Sequence, residues 1–163
     1  MEQYIGTKQV FAEPMDRYAA EDCLGRNIKP RDEYENEDGY LVVYEDGYRS
    51  WSPKKTFNDA YRAISGMTFG LAIEAAKKGS RISRAGWNGK GMFVVYMPPL
   101  YLPPFNTADT ARKVNDRTAK HIGEDTPLDS QGYFAMFTAK KQWQPGWLAS
   151  QADMLAEDWE VVV

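Results

Sequence analysis

Residues 68–97 read TFGLAIEAAKKGSRISRAGWNGKGMFVVYM, and this stretch decides the fold. Thr68 stands where a helix is capped, Phe69, Ala72, Ile73 and Ala76 recur at helical spacing, and Gly79 suits the left-handed residue that ends a helix. Arg81-Ile82-Ser83-Arg84 then alternates as a half-buried strand does. Trp87-Asn88-Gly89 carries a hairpin signal, and Met92 to Met97 is an apolar return strand. A helix followed by an antiparallel hairpin predicts an α+β fold, an antiparallel β-sheet with flanking helices.

On the N-terminal side, Tyr4 to Val10 is compatible with a strand, and the acidic run Glu33, Glu35, Glu37 and Asp38 reads as a solvated loop. Tyr40 to Tyr44 is a strand, Asp46-Gly47 a hairpin turn, and Tyr48 to Trp51 the return. Ser52 as N-cap and Pro53 at the first helical position predict a helix with Phe57, Ala60, Tyr61 and Ile64 as its buried stripe. Residues 1–66 are therefore expected to form a small α+β module, with Ser65-Gly66 as a joint before a second domain at 67–163.

On the C-terminal side, Pro98-Pro99 and Pro103-Pro104 bracket an extended segment, because paired prolines lack backbone donors. Asp109 to Ile122 reads as an amphipathic helix stopped by Gly123. Tyr133 to Thr138 is a strand, Trp143 to Trp147 a turn, Ser150 with Asp153 a capping box, and Trp159 to Val163 a last strand.

Composition narrows the function. No apolar run approaches 18 residues and no greasy leader follows a basic start, so a cytosolic protein without a membrane span is expected. The single cysteine, Cys23, and single histidine, His121, cannot close a tetrahedral zinc site. A net charge of -3 argues against long nucleic acid. The sequence contains no glycine-rich phosphate loop and no nucleophile elbow. His121 has no serine or cysteine partner nearby in the chain, and Glu157, Asp158 and Glu160 make no convincing acid–base set. No cofactor is implied.

Two constellations point to a ligand. Lys77 to Lys90 holds five basic residues, no acidic one, and Trp87 at a tight turn. An indole beside positive charge suits a nucleotide, since stacking contributes roughly 1–3 kcal/mol per base and arginine grips phosphate with paired hydrogen bonds. Trp147 lies in a second constrained turn, just ahead of a capped helical turn whose amides can meet an anion. Each also reads as a core tryptophan in a solvated turn, and the local sequence does not choose.

Residues 67–163 resemble the second type of Thoeris anti-defence protein, a phage family formerly described as a domain of unknown function. The resemblance rests on Met67-Thr-Phe-Gly-Leu-Ala-Ile-Glu-Ala, on Arg84-Ala-Gly-Trp87-Asn-Gly-Lys90, and on Pro145-Gly-Trp147-Leu-Ala-Ser150-Gln-Ala-Asp153-Met-Leu-Ala-Glu-Asp-Trp159. It implies a sponge, acting in the cytoplasm of the infected bacterial host, that binds cyclic ADP-ribose derivatives (glycocyclic isomers) made by immune TIR enzymes and withholds them uncleaved. It further implies that some members hold cyclic di- or trinucleotides at a separate site, and a homotetramer built as a dimer of dimers with pockets at subunit interfaces. On this sequence it implies that Phe69 and Trp87 wall the base, Trp147 faces it, and Ser150 with Asp153 hydrogen-bonds ribose hydroxyls. Arg84, Asn88 and Lys90 are then the expected phosphate contacts. Residues 1–66 stand outside the resemblance, and 98–129 reads as an insertion. A nucleotide-cleaving enzyme and a phage structural or protein-interaction module are the rival readings.

Overall fold

The computed structural model describes residues 1–3, 6–108 and 110–162. The chain divides into two compact units, residues 1–63 and 64–163, and the fold is α+β, with antiparallel sheets and helices beside them.

The first unit carries a three-stranded sheet in the order β1 (Phe11–Pro14), β2 (Gly39–Val43), β3 (Arg49–Pro53), with helices α1 (Arg17–Leu24) and α2 (Lys54–Ala60). Its strand begins later than Tyr4 to Val10 suggests. Tyr4 and Ile5 lie outside the described residues, 6–10 form no strand, and Phe11 to Pro14 pairs with β2 instead, Phe11 opposite Val43. Pairing decided the location, because strand propensity is weak beside a partner's backbone.

Helix α1 lies in the stretch the sequence leaves irregular. Asp16 caps it by accepting from the Ala19 amide, and Gly25 closes it at φ 67. What holds α1 is largely polar. Arg17, with no exposed surface, donates to Glu21 and to the carbonyls of Lys29, Tyr34 and Glu35. Ala20, Leu41 and Val42 are the unit's buried apolar residues among those described.

Ser52 and Pro53 do not open a helix. They end β3, opposite Tyr40 and Gly39, and α2 starts at Lys54 without a side-chain cap. Phe57 stacks between Tyr40 and Tyr61 at 4.3 and 4.8 Å, but Ala60 is exposed and Ile64 is 55% exposed, so the expected stripe is one ring deep.

In the second unit, α3 (Phe69–Lys77) packs on a five-stranded antiparallel sheet ordered β10, β4, β5, β8, β9, where β4 is Arg81–Arg84, β5 Phe93–Met97, β8 Tyr133–Phe137, β9 Trp143–Pro145 and β10 Trp159–Val162. Met67, Ala72, Ala75, Ala76, Ile82, Val94, Met136 and Trp159 form the core. Thr68 occupies the N-cap position of α3 but its side chain accepts no hydrogen bond, and Gly79, at φ 97, follows the helix end. Val163, expected to end the last strand, lies outside the described residues.

The 98–129 segment folds as a ribbon and one short helix. β6 (Leu100–Leu102) pairs with β7 (Leu128–Ser130), and α4 (Asp116–Ile122) is capped by Asn115. The long helix expected from Asp109 is cut to seven residues. Asp109 itself is outside the described residues, and Val114, only 1% exposed, donates its amide to Pro103 before the helix begins. Tertiary pairing consumed the first half of the amphipathic pattern. Trp143 to Trp147 is likewise not simply a turn: Trp143–Pro145 pairs with Ala135–Phe137 as the edge strand, and the chain reverses at Gly146, φ 73.

Candidate functional site

Trp159 organises the site. Its side chain has no exposed surface, its ring nitrogen donates to the Asp153 carbonyl at 2.9 Å, and three aromatic side chains surround it. Trp87 stands 5.5 Å away at 75°, Trp147 6.2 Å away at 74°, and Phe69 5.5 Å away at 45°. Trp87 and Trp147 are 6.2 Å apart at 71°. All three outer rings are half-buried. They bury one edge in the core and leave another in solvent, so they form a corner of indole surfaces and not a parallel slot.

Chain topology explains how these rings meet. Trp87 sits in the loop between β4 and β5, and Trp147 follows β9, where its amide donates to the Phe134 carbonyl. Ser150 then caps the single turn α5 (Gln151–Met154) through a reciprocal capping box with Asp153. β10 returns antiparallel to β4 with Trp159 opposite Arg84, which carries the tail back over the Trp87 loop.

A charged network locks the corner. The Asp153 carboxylate accepts from Arg84 Nη1 at 3.0 Å and Trp87 Nε1 at 3.1 Å on one oxygen, and from the Ser150 hydroxyl at 2.7 Å and amide at 3.1 Å on the other. Four donors fill a carboxylate's lone-pair sites. Burial pushes the Asp153 carboxyl upward, but the Ser150, Arg84 and Trp87 hydrogen bonds outweigh it and hold the group at about 2.

Arg84 is engaged elsewhere too. Its Nε and Nη2 donate to Asp158 at 2.7 and 3.3 Å, and Nη1 also reaches the Ala152 carbonyl at 3.3 Å. Asp158 in turn accepts from the Gly86 amide at 2.9 Å, and the Arg84 hydrogen bond holds its carboxyl below the ordinary value. A side chain at position 86 would displace the Asp158 carboxylate, since a Cβ there would lie 2.8 Å from it. The loop, the tail turn and the last strand are thus pinned at one guanidinium.

Of the eight sequence-selected residues, six converge: Phe69, Arg84, Trp87, Trp147, Ser150 and Asp153 all belong to this cluster. Asn88 and Lys90 are exposed in the adjoining loop, and among the described residues their side chains have no hydrogen bond or ion pair. The sequence did not single out Trp159, Asp158 or Gly86 as parts of a site. Their roles follow from the pairing of β10 with β4, which brings positions 74 residues apart together and leaves no local periodicity to detect.

Two open grooves of about 490 and 480 Å³ lie within the first unit, one lined by Pro14, Asp16, Asp38 and Lys54 among others and one by residues 27–32. Neither is lined by any of the eight residues. No cluster of three or more His, Cys, Asp or Glu able to hold a metal ion occurs among the described residues, and no helix among them is long and apolar enough to cross a membrane.

Comparison with known proteins agrees with the extent of the second unit. The Thoeris anti-defense 2-like domain family matches residues 67–162, a span that includes 98–129, the segment expected to be an insertion. The protein named Thoeris anti-defense 2 from Bacillus phage SP01 is 34% identical over 96 residues, which is 59% of this chain and 94% of that protein. A match over more than half of the chain, beginning where α3 is about to start, shows that this chain belongs to the Thoeris anti-defense 2-like family.

Proposed function

We propose that residues 67–162 form a phage anti-defence sponge that binds cyclic ADP-ribose derivatives produced by Thoeris immunity and holds them uncleaved, away from the effector. The family membership supports the anti-defence role. The observation that carries the binding reading is the aromatic corner: Trp87, Trp147 and Phe69 keep partly exposed rings packed around Trp159, and a part-buried network fixes the Trp87 indole through Asp153 before a ligand arrives. A preorganised aromatic surface loses little ordering entropy on binding, and each stacked base contributes roughly 1–3 kcal/mol.

In this reading the purine stacks on one indole while the other flanks its edge. The Ser150 hydroxyl, which donates once and accepts once within the capping box, keeps a lone pair for a ribose hydroxyl, and Asp153 orients it. Arg84, with its hydrogen bonds committed to Asp153, Asp158 and Ala152, holds the corner in shape, while Asn88 and Lys90 are the phosphate contacts. The corner is open in one chain, and a homotetramer, arranged as a dimer of dimers, closes it against a second copy. Cyclic di- or trinucleotides are the second ligand class to test. The site of action is the cytoplasm of the infected host.

Binding without chemistry is supported by the charge states. Asp153 and Asp158 are ionised through the neutral range, so neither is poised to move a proton near pH 7. Calorimetric titration with a panel of cyclic ADP-ribose isomers and cyclic dinucleotides tests the reading. At least one isomer should bind with nanomolar dissociation constant, about -12 kcal/mol, and return chemically intact after heat denaturation. Trp147→Phe should weaken that binding at least tenfold while leaving the fold in place. Recovery of a hydrolysed product would favour the cleaving enzyme, and loss of folding without any ligand in the panel would favour the structural module.

A further inference from the structure

We propose that Lys90, Lys140 and Lys141 form a basic rim that takes the phosphates of the nucleotide ligand, the anionic class being a pyrophosphate or phosphodiester. This assignment rests on the nucleotide-binding reading above; Lys90 lies three residues beyond Trp87 in the same loop between β4 and β5.

The sheet places these lysines together. β5 and β8 run antiparallel with Phe93 opposite Phe137, so the loop from β4 to β5 and the turn from β8 to β9 leave the sheet at the same end. The two segments touch: a Cβ on Gly89 would sit 2.8 Å from the Ala139 Cβ. Lys90 and Lys140 are the next residues on either side of that contact. All three lysines are exposed, and among the described residues none of their ammonium groups has a hydrogen bond or ion pair.

No carboxylate neutralises them locally. Residues 75–97 and 130–152 contain no Asp or Glu. The two carboxylates that flank the Trp87 loop, Asp153 and Asp158, are committed to Arg84. Three unpaired cations on two segments in contact repel one another until an anion arrives, and a multivalent phosphate relieves that repulsion.

Lys141 adds an independent sign. It is the one non-glycine at positive φ among the described residues, at 59°, in a turn closed by its amide donating to Thr138. Glycine adopts this conformation without the Cβ penalty. A lysine standing where glycine is easier points to use of its side chain.

The full chain, titrated with inorganic pyrophosphate and with the cyclic ADP-ribose isomers at low and high salt, tests the rim. Lys141→Gly should melt at or above the parent temperature, because the backbone is relieved, yet bind the pyrophosphate-containing probes about tenfold more weakly, as expected for loss of one charge-assisted contact. Adding Lys90→Gln and Lys140→Gln should abolish pyrophosphate binding and flatten the salt dependence of isomer binding. Isomer binding of unchanged strength in the triple variant overturns the rim and leaves the sponge standing. Pyrophosphate bound by the parent and lost in the triple variant, with no isomer bound, keeps the rim and removes the sponge. Binding of neither probe overturns both.

Discussion

Asp153 shows how one residue serves two purposes. Its carboxylate caps α5 through Ser150 and orients both Arg84 and the Trp87 indole, so a group that looks like a helix cap in the sequence is the junction of the site. Its acidity makes this measurable. With a folded value of about 2 against an ordinary 3.8, Asp153 contributes stability that is fully present above about pH 4 and lost as pH falls toward 2. The shift corresponds to roughly 1–2 kcal/mol after allowance for partial solvent screening. Asp153→Asn should therefore lower the melting temperature at pH 7 and show a shallower decline between pH 4 and 2 than the parent. Glu21, held at about 2 by Arg31 and the Ile28 and Lys29 amides against the upward push of burial, titrates in the same window, so the difference between the two proteins is the quantity to follow.

At the scale of elements, α5 is a single turn that matters more than its length suggests. Four residues are too few for a helix to persist by its own hydrogen bonds, and the capping box together with the Trp159 bond to the Asp153 carbonyl holds it. Ser150→Ala removes the hydroxyl that both accepts from the Asp153 amide and donates to its carboxylate. Thermal unfolding should show a loss of about 1 kcal/mol, the usual cost of an N-cap serine. The Trp147 contribution to the fluorescence, taken as the difference between each protein and its Trp147→Phe variant, should shift to the red as the turn loosens, and an unchanged difference would mean the turn does not position that indole.

At the scale of the whole chain, two units with different cores share one polypeptide. The second gathers eight buried core residues with partly buried aromatics around them, whereas the first relies on Ala20, Leu41 and Val42 plus the buried Arg17–Glu21 pair. Small domains with little apolar burial are marginally stable, and removing one partner of a buried ion pair is strongly destabilising. A chain of residues 64–163 should unfold in one cooperative transition and bind the same panel member as the full chain. Loss of binding on removing 1–63, with the fold retained, would give the first unit a part in ligand recognition.

The local grammar was legible where it was self-sufficient. The α+β class, the helix from Phe69 to Lys77, the strands at 81–84 and 93–97 and the Ser150–Asp153 box all follow from spacing, turn residues and motif, because each depends on neighbours a few positions away. Phe11 to Pro14 as the first strand, Val114 as a buried residue ahead of the helix, Trp143 to Pro145 as an edge strand, and Arg84 joined to Asp158 across 74 positions did not. Those depend on which strand lies beside which and in what register, a choice made by burial and pairing over the whole unit. The sequence determined the aromatic and charged side chains at 69, 84, 87, 147 and 153; only the antiparallel return of β10 along β4 decided that they meet around Trp159, since long-range pairing leaves no trace in local spacing.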